Sequence, residues 1–511
     1  MTHPARRFAR PGATALVALN LACLAPPRAT PAVPTQPAPA PSRVAPRNPG
    51  ARAAFRAAVD SLVDAADFRN AHWGVLVVDP ASGDTLYAHE PGKLFLPASN
   101  LKLVTTSVAL TVLGPGYRWT TVLGARGPVL DGTLQGDLLV YGRGDPSISD
   151  SVSGSAMAPL RAMADSLAAA GVRRVAGRLL AAGDAFPGPT VGFGWSWDDL
   201  GDADGAAIDE LLFNDGFGEL HVRAGASPGA RPTVTTTPAA RYPTVRIEAR
   251  TVARDDTAAL RTHPLRATLD TATREFVLRG AITVGDSATR VVAFSDPDGA
   301  YLAALAEALD ERGIRVDGAV TDTTAPVDTL VRLQSPTLAQ VLPAILKPSQ
   351  NQMAEMVMRT VGLVRTGVGT ADSAARVERT QLEAWGADST GFVLRDGSGL
   401  ARYDYLTPET IVRVLDAMRR SPAFDALYNA LPIAGVDGTL RSRMRGTAAQ
   451  GNVHAKTGSL SNTRSLSGYV TTADGRLLLF SILCNNFTAP PARVLAVENE
   501  IAERLAALDL H

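Results

Sequence analysis

The chain predicts an α/β (α+β) fold in which one domain is split by a long β-rich insertion. Three observations carry that expectation. Residues 51–120 run helix, hairpin, helix. The last third, from residue 336, ends in three strand-like runs and a closing helix. Between them lie short Val/Thr/Arg-rich segments broken by Gly, Asp and Pro, such as TVTTTPAARYPTVRIEARTVARDD. That composition suits strands and turns better than helices.

Each element has its own signal. Residues 51–67 space their apolar side chains as one helix face does. HWGVLVVD then reads as a strand, PASGD as a turn and TLYAHE as the returning strand. LPASNLKLVTTSVALTVLG predicts a helix from near Ala98 to near Gly114, on which Ser99 and Lys102 are neighbours at i and i+3. In the middle region, PDGAYLAALAEALDERGIRV supplies one clear helix near 299–312, stopped at Gly313. SPTLAQVLPAILKPSQNQMAEMVMRTVG is helical around a loop near Pro348. HAKTGSL, TRSLSGYVTT and RLLLFSILCNN predict three successive strands, and PPARVLAVENEIAERLAALDL the closing helix.

The N-terminus has a different character. Arg6, Arg7 and Arg10 precede a short apolar run, Gly12 to Cys23, the pattern of an export signal too short to span a membrane comfortably. Cleavage is expected near Ala22 or within APPRAT. A lipidated Cys23 is an alternative that Asn20 disfavours, and the arginine pair hints weakly at twin-arginine export. The Pro/Ala-rich stretch that follows cannot build a core and predicts an extended spacer. The expected organisation is therefore a signal over 1–25, a linker over 26–50, the first part of one domain over 51–120, inserted material over 121–335 and the second part of the domain over 336–511.

At 511 residues and zero formal net charge, the chain carries no basic field of the kind that binds nucleic acid. The first 50 residues hold six arginines and no acid, so the remainder is mildly acidic. Only Cys23 and Cys484 occur. Removal of the signal would leave one thiol and no internal disulfide, and Cys484 lies in an apolar run that predicts burial. The histidines show no metal-binding spacing.

The lysines are more telling. The chain has four, Lys93, Lys102, Lys347 and Lys456, against 46 arginines. Arginine holds its proton, whereas a buried lysine can lose it and act as a base. Lys93 reads as an ordinary surface residue, and Lys347 has no evident role. Lys102 and Lys456 belong to an ordered set: Ser99-x-x-Lys102, Ser349-x-Asn351 and Lys456-Thr457-Gly458. Each pattern alone is weak, but the ordered triple is the known signature of serine acyl-transfer enzymes of the penicillin-binding and class A β-lactamase type. A serine hydroxyl is a poor nucleophile until a base removes its proton. Lys102 is placed to do that, and a nearby Lys456 ammonium would help lower its proton affinity. Ser349 and Asn351 can relay a proton and orient the base. Ser99 at a helix N-terminus has a backbone N–H free for an oxyanion, and the strand beyond Lys456 can supply a second. Gly458 would let a substrate backbone approach that strand.

Longer strings extend the pattern: GDLLVYGRGDPSIS, GWSWDDL, LQSPTLAQVLPAILKPSQNQMAEMVMR, DGSGLARYDYLTP, LPIAGVDGTLRSRM and HAKTGSLSNTRSLSGYV. With them, about residues 55–505 resemble the class C low-molecular-mass penicillin-binding proteins, the D-alanyl-D-alanine carboxypeptidase/endopeptidases of peptidase family S13. The most specific feature is the interval from Lys102 to Ser349, nearly half the chain, where that family carries two extra domains.

The resemblance implies a serine transpeptidase/β-lactamase-like domain, with an antiparallel sheet flanked by helices and two nested β-rich domains inserted. It implies Ser99 as the acylated nucleophile and Lys102 as its base, with Ser349, Asn351 and Lys456 completing the catalytic set. Thr457 would help bind the substrate carboxylate, Gly458 would form part of the strand wall, and the N–H groups of Ser99 and Ser459 would form the oxyanion hole. Asp199 of GWSWDDL, with Asp198 as the alternative, would meet the amine of the peptidoglycan diamino acid. DGSGL, Asp396 to Leu400, and GDP, Gly144 to Pro146, read as turns. No metal or organic cofactor is required. The implied partners are peptidoglycan peptides and covalent β-lactam inhibitors, in the periplasm or cell envelope, with peripheral membrane association left open. A β-lactamase or esterase with the same triad, or a non-catalytic peptidoglycan-binding protein, are the alternatives.

Overall fold

The computed structural model describes residues 48–270, 272–319 and 326–511, all within one unit that starts at Pro46. The expected export signal, Cys23 and the spacer as far as residue 47 lie outside the described residues. Asn48 caps the first helix, α1 (Pro49–Val63), by accepting the Ala51 N–H at 3.0 Å, with Pro49 in the first turn where its missing N–H costs nothing.

The hairpin follows as β1 (His72–Asp79) and β2 (Asp84–His89). A 3₁₀ turn, Ala98–Asn100, leads into α2 (Leu101–Val112), so the predicted helix is present with a tighter first turn. Far along the chain come α3 (Asn351–Thr366), β3 (His454–Leu460), β4 (Thr463–Thr471), β5 (Leu477–Asn485) and α4 (Pro491–Ala506). The sheet order is β2-β1-β5-β4-β3, antiparallel throughout, and β3 is an edge strand.

Strand alternation divides the core. Trp73, Val75 and Val77 face one side with Phe55 and Val59 of α1 and Ile501 and Leu505 of α4. Leu76, Leu479 and Leu483 face the other side, with Leu103, Val104 and Val108 of α2 and Val357 of α3. Strand β5 is covered on both faces, which explains its nearly unbroken apolar run. Each fully buried Leu or Val contributes roughly 1.5–3 kcal/mol. Helix α2 is enclosed on every side from Leu101 to Leu110, so Lys102 is carried into the interior by the packing of its neighbours.

The insertion leaves and returns at one place. Thr120 pairs with Gln334 on antiparallel strands Thr120–Arg126 and Val327–Gln334, so the chain re-enters beside its exit. Helices Met157–Ala169 and Pro297–Glu311 pack over this outer part around Leu123, Leu160, Tyr301 and Leu305. It therefore mixes helices with strands. The inner part, residues 217–293, is built mainly from short strands with one short helix, Thr257–Thr262, and has small cores around Leu220, Val222 and Leu278. Among the described residues no helix is long and apolar enough to cross a membrane. Cys484 is a free, buried thiol, and burial raises its pKa.

Candidate active site

Ser99 lies half-buried in the 3₁₀ turn that opens α2, where Ala98 takes a φ of 47°. One turn on, the Lys102 ammonium is fully buried and its three protons all have acceptors. It donates to Ser99 Oγ at 2.9 Å, to Asn351 Oδ1 at 2.6 Å and to the Ser398 carbonyl at 2.8 Å. Burial pulls its pKa down to about 8, while the charges of Asp396, Glu355 and Asp204 oppose the fall.

Lys456 is also fully buried, and among the described residues its ammonium donates only to its neighbour's carbonyl, Thr457 O, at 2.9 Å. Burial pushes it well below the usual lysine range, and the positive charge of Lys102 pushes it further. The repulsion expected to lower Lys102 therefore falls on Lys456. Lys102 has carboxylates around it, whereas burial already disfavours the charged form of Lys456.

Asn351 is the first residue of α3. The Gln350 side chain caps that helix by accepting the Met353 N–H at 2.7 Å. Asn351 thus presents Oδ1 to Lys102 and donates from Nδ2 to the Asp204 carbonyl at 3.0 Å. Ser349 precedes the cap, half-buried, with a φ of 71°. It makes no direct hydrogen bond to the other catalytic candidates among the described residues.

The edge strand forms the opposite wall. Asn100 ties it to the nucleophile turn, donating to the Lys456 carbonyl at 3.1 Å and to Ser465 Oγ at 2.6 Å. The Ala455 N–H donates to Pro432 O at 3.0 Å, away from β4. Because strand N–H groups alternate sides, those of Thr457 and Ser459 face the same open edge. The Thr457 hydroxyl donates to Thr439 Oγ1 at 2.7 Å, and Ser459 is exposed. Gly458 also meets close neighbours within the chain. A Cβ there would stand 2.1 Å from Ser465 Oγ and 2.7 Å from the Pro97 carbonyl. The backbone approaching Gly458 is thus the nucleophile's own turn.

Several contributors escaped the sequence. DGSGL was read as a turn, yet it supplies the Ser398 carbonyl to Lys102. Asp396 builds that turn by accepting the N–H groups of Gly399 and Ala401, both at 2.7 Å, and the Trp195 indole N–H at 2.9 Å. Lys347, without a role in the sequence, donates to Asp437 at 2.6 Å and accepts the Thr439 N–H on its carbonyl, which braces Thr439 against Thr457. Glu355 lies one turn beyond Asn351, a lone acid in NQMAEMVM, and that isolation was the available signal.

Asp199 is placed indirectly. Its segment is tied to the site through Trp195 on Asp396 and through the Asp204 carbonyl on Asn351. Asp199 is half-buried with Oδ2 enclosed and without a hydrogen-bond partner among the described residues, and burial followed by the charge of Asp198 raises its pKa. Asp198 is exposed.

A family model described as D-Ala-D-Ala carboxypeptidase 3 (S13) family matches residues 55–508. Over 470 residues the chain is 34% identical to a D-alanyl-D-alanine carboxypeptidase of Actinomadura sp. (strain R39), covering 88% of this chain and 84% of that one. The crystal structure of penicillin binding protein 4 (dacB) from Haemophilus influenzae superposes with a TM-score of 0.74 at 22% identity, over 88% of this chain and 99% of that one. The same protein complexed with a β-lactam superposes with a TM-score of 0.69 at 23% identity, with the same coverage.

Proposed function

Since the chain belongs to the D-Ala-D-Ala carboxypeptidase 3 (S13) family and has its serine transpeptidase/β-lactamase-like fold, we propose that it cleaves peptidoglycan stem peptides through an acyl-enzyme on Ser99. The observation that carries this reading is the Lys102 ammonium, held on Ser99 Oγ and Asn351 Oδ1 in a buried site. With its pKa pulled to about 8, Lys102 is neutral often enough to serve as a base near neutral pH.

The neutral Lys102 amine takes the Ser99 proton as Oγ attacks the carbonyl of the penultimate D-alanine. The oxyanion is received by the N–H groups of Ser99 and Ser459, the second of which faces the open strand edge. Ser349 relays the proton to the departing D-alanine amine, with Asn351 and Lys456 orienting the base. Thr457 holds the terminal carboxylate. Water then releases the acyl group. The same steps at a D-alanyl–diamino acid cross-link constitute endopeptidase activity, and β-lactams acylate the same oxygen. Residues 51–120 and 336–511 form the catalytic domain around the inserted 121–335, and the protein works exported in the bacterial envelope.

Purified protein treated with a fluorescent penicillin is expected to carry a stable covalent label that Ser99→Ala abolishes. Absence of label from folded protein would favour the non-catalytic binding reading, and rapid loss of label the β-lactamase or esterase reading.

Asp199→Asn is expected to lower kcat/KM about tenfold on peptides bearing a free side-chain amine, the size of one charge-assisted contact. Penicillin labelling should stay unchanged. Selectivity lost in Asp198→Asn instead would move the contact to that residue.

A further inference from the structure

The proposed mechanism needs Lys102 to surrender its proton, and one group that governs this has no assigned part in it. We propose that Glu355 is a positioning residue for the base: its carboxylate fixes the Gly397–Ser398 turn so that the Ser398 carbonyl is held on the Lys102 ammonium. This rests on the reading of Lys102 as the base.

The geometry is a short relay. Glu355 is fully buried on α3, one turn after Asn351, so both project from one helix face. Its Oε1 accepts the Gly397 N–H at 2.9 Å and the Ser398 N–H at 2.8 Å. The carbonyl of Ser398 then accepts from Lys102 Nζ at 2.8 Å. From the other side, Thr105 of α2 donates to the Gly397 carbonyl at 2.8 Å. The turn is therefore clamped between the helix that carries Lys102 and the helix that carries Asn351. Glu355 Oε2 is enclosed with no hydrogen-bond partner among the described residues, so Oε1 makes the connection.

Glu355 also acts through its charge. Burial, followed by the Asp396 charge, raises its pKa to about 7, so it is ionised where Lys102 titrates. There its negative charge favours the Lys102 ammonium. The charged groups around it are Asp396 and Asp404 from the turn region, Glu378 from helix Ala371–Ala384, Arg359 on α3 and Lys102 on α2. Burial raises Glu378 and Asp404 well above the carboxylate range, whereas the carboxylates whose charges act on Lys102 are Asp396, Glu355 and Asp204.

The two roles separate in two variants. Glu355→Gln keeps an oxygen acceptor for Gly397 and Ser398 and breaks no existing bond at Oε2, but removes the charge. Glu355→Ala removes both. The rate constant for acylation of the full chain by benzylpenicillin would be measured between pH 5 and 9, with wild type and Ser99→Ala beside the variants. E355Q is expected to keep its plateau rate while its acidic limb moves about one pH unit lower, because Lys102 then loses its proton more readily. E355A, which leaves the buried Gly397 N–H unpaired and the Ser398 N–H on its 3.1 Å contact to Asp396 Oδ1, is expected to lose about tenfold or more of the plateau rate. An unmoved limb in E355Q overturns the charge role, and an unchanged plateau in E355A overturns the positioning role, while in either case acylation of Ser99 stands. A wild-type protein that takes no label on Ser99 overturns the functional reading itself.

Discussion

Replacing Lys102 by methionine is expected to lower the rate of Ser99 acylation by about 1,000-fold, the middle of the range for loss of a positioned general base. Methionine fills similar space and cannot accept a proton. It leaves Asn351 Oδ1 and the Ser398 carbonyl without their donor in a fully buried site, which costs roughly 1–3 kcal/mol for a buried acceptor. Removing a buried ammonium from its desolvated position offsets part of that. The variant should therefore remain folded by circular dichroism and fail to label. Lys102→Arg should fail as well, but less cleanly. The guanidinium holds its proton, and its greater bulk has no room in a site where the lysine is already fully enclosed. Normal labelling of folded Lys102→Met would sink the assignment. In wild type the rate should climb as pH rises through about 8, since the neutral amine is the active form and burial is what brings it into range.

A single methyl group at Gly458 should be nearly as damaging. Gly458→Ala places carbon 2.1 Å from Ser465 Oγ and 2.7 Å from the Pro97 carbonyl. Backbone cannot yield as a flexible side chain can, so the nucleophile turn and the edge strand must separate. Overpacking of this kind costs roughly 1–3 kcal/mol. The catalytic loss should be larger, about 100-fold, because a shift near 1 Å moves Ser99 out of line with Lys102 and with the strand N–H groups. Penicillin acylation and thermal unfolding measured together decide the matter. A variant that unfolds at the wild-type temperature and labels at the wild-type rate would show that the turn tolerates the methyl group.

The catalytic candidates were largely legible because their spacing is local. Ser99 and Lys102 meet by helix periodicity alone, and Lys456, Thr457 and Gly458 are consecutive on one strand. The three strand-like runs near the C-terminus and the closing helix appear where their apolar patterns put them. The helices of the outer insertion were only partly visible. Pro297–Glu311 carries a clear pattern, whereas Met157–Ala169 lies in a region whose short Val/Thr/Arg-rich segments, broken by Gly, Asp and Pro, point to strands.

Less legible were the groups that act through distance in sequence. Lys102 and Asn351 are 249 residues apart, and Lys102 and Ser398 are 296 apart. Nothing in DGSGL announces that its carbonyl will meet an ammonium, since a backbone carbonyl has no residue type. The same holds for Trp195 on Asp396, 201 residues away, and for Thr439 beneath Thr457.

The sequence by itself determined which side chains could perform acyl transfer, the order in which they occur and the presence of a large insertion between the first two motifs. Those are consequences of residue chemistry and short-range spacing. Only the tertiary structure decided how burial and neighbouring charges set the two lysines apart, which backbone lies against Gly458 and how Glu355 and Asp396 bear on the base. Proton affinity depends on burial and on every charge nearby, and close approach depends on surfaces brought together from opposite ends of the chain.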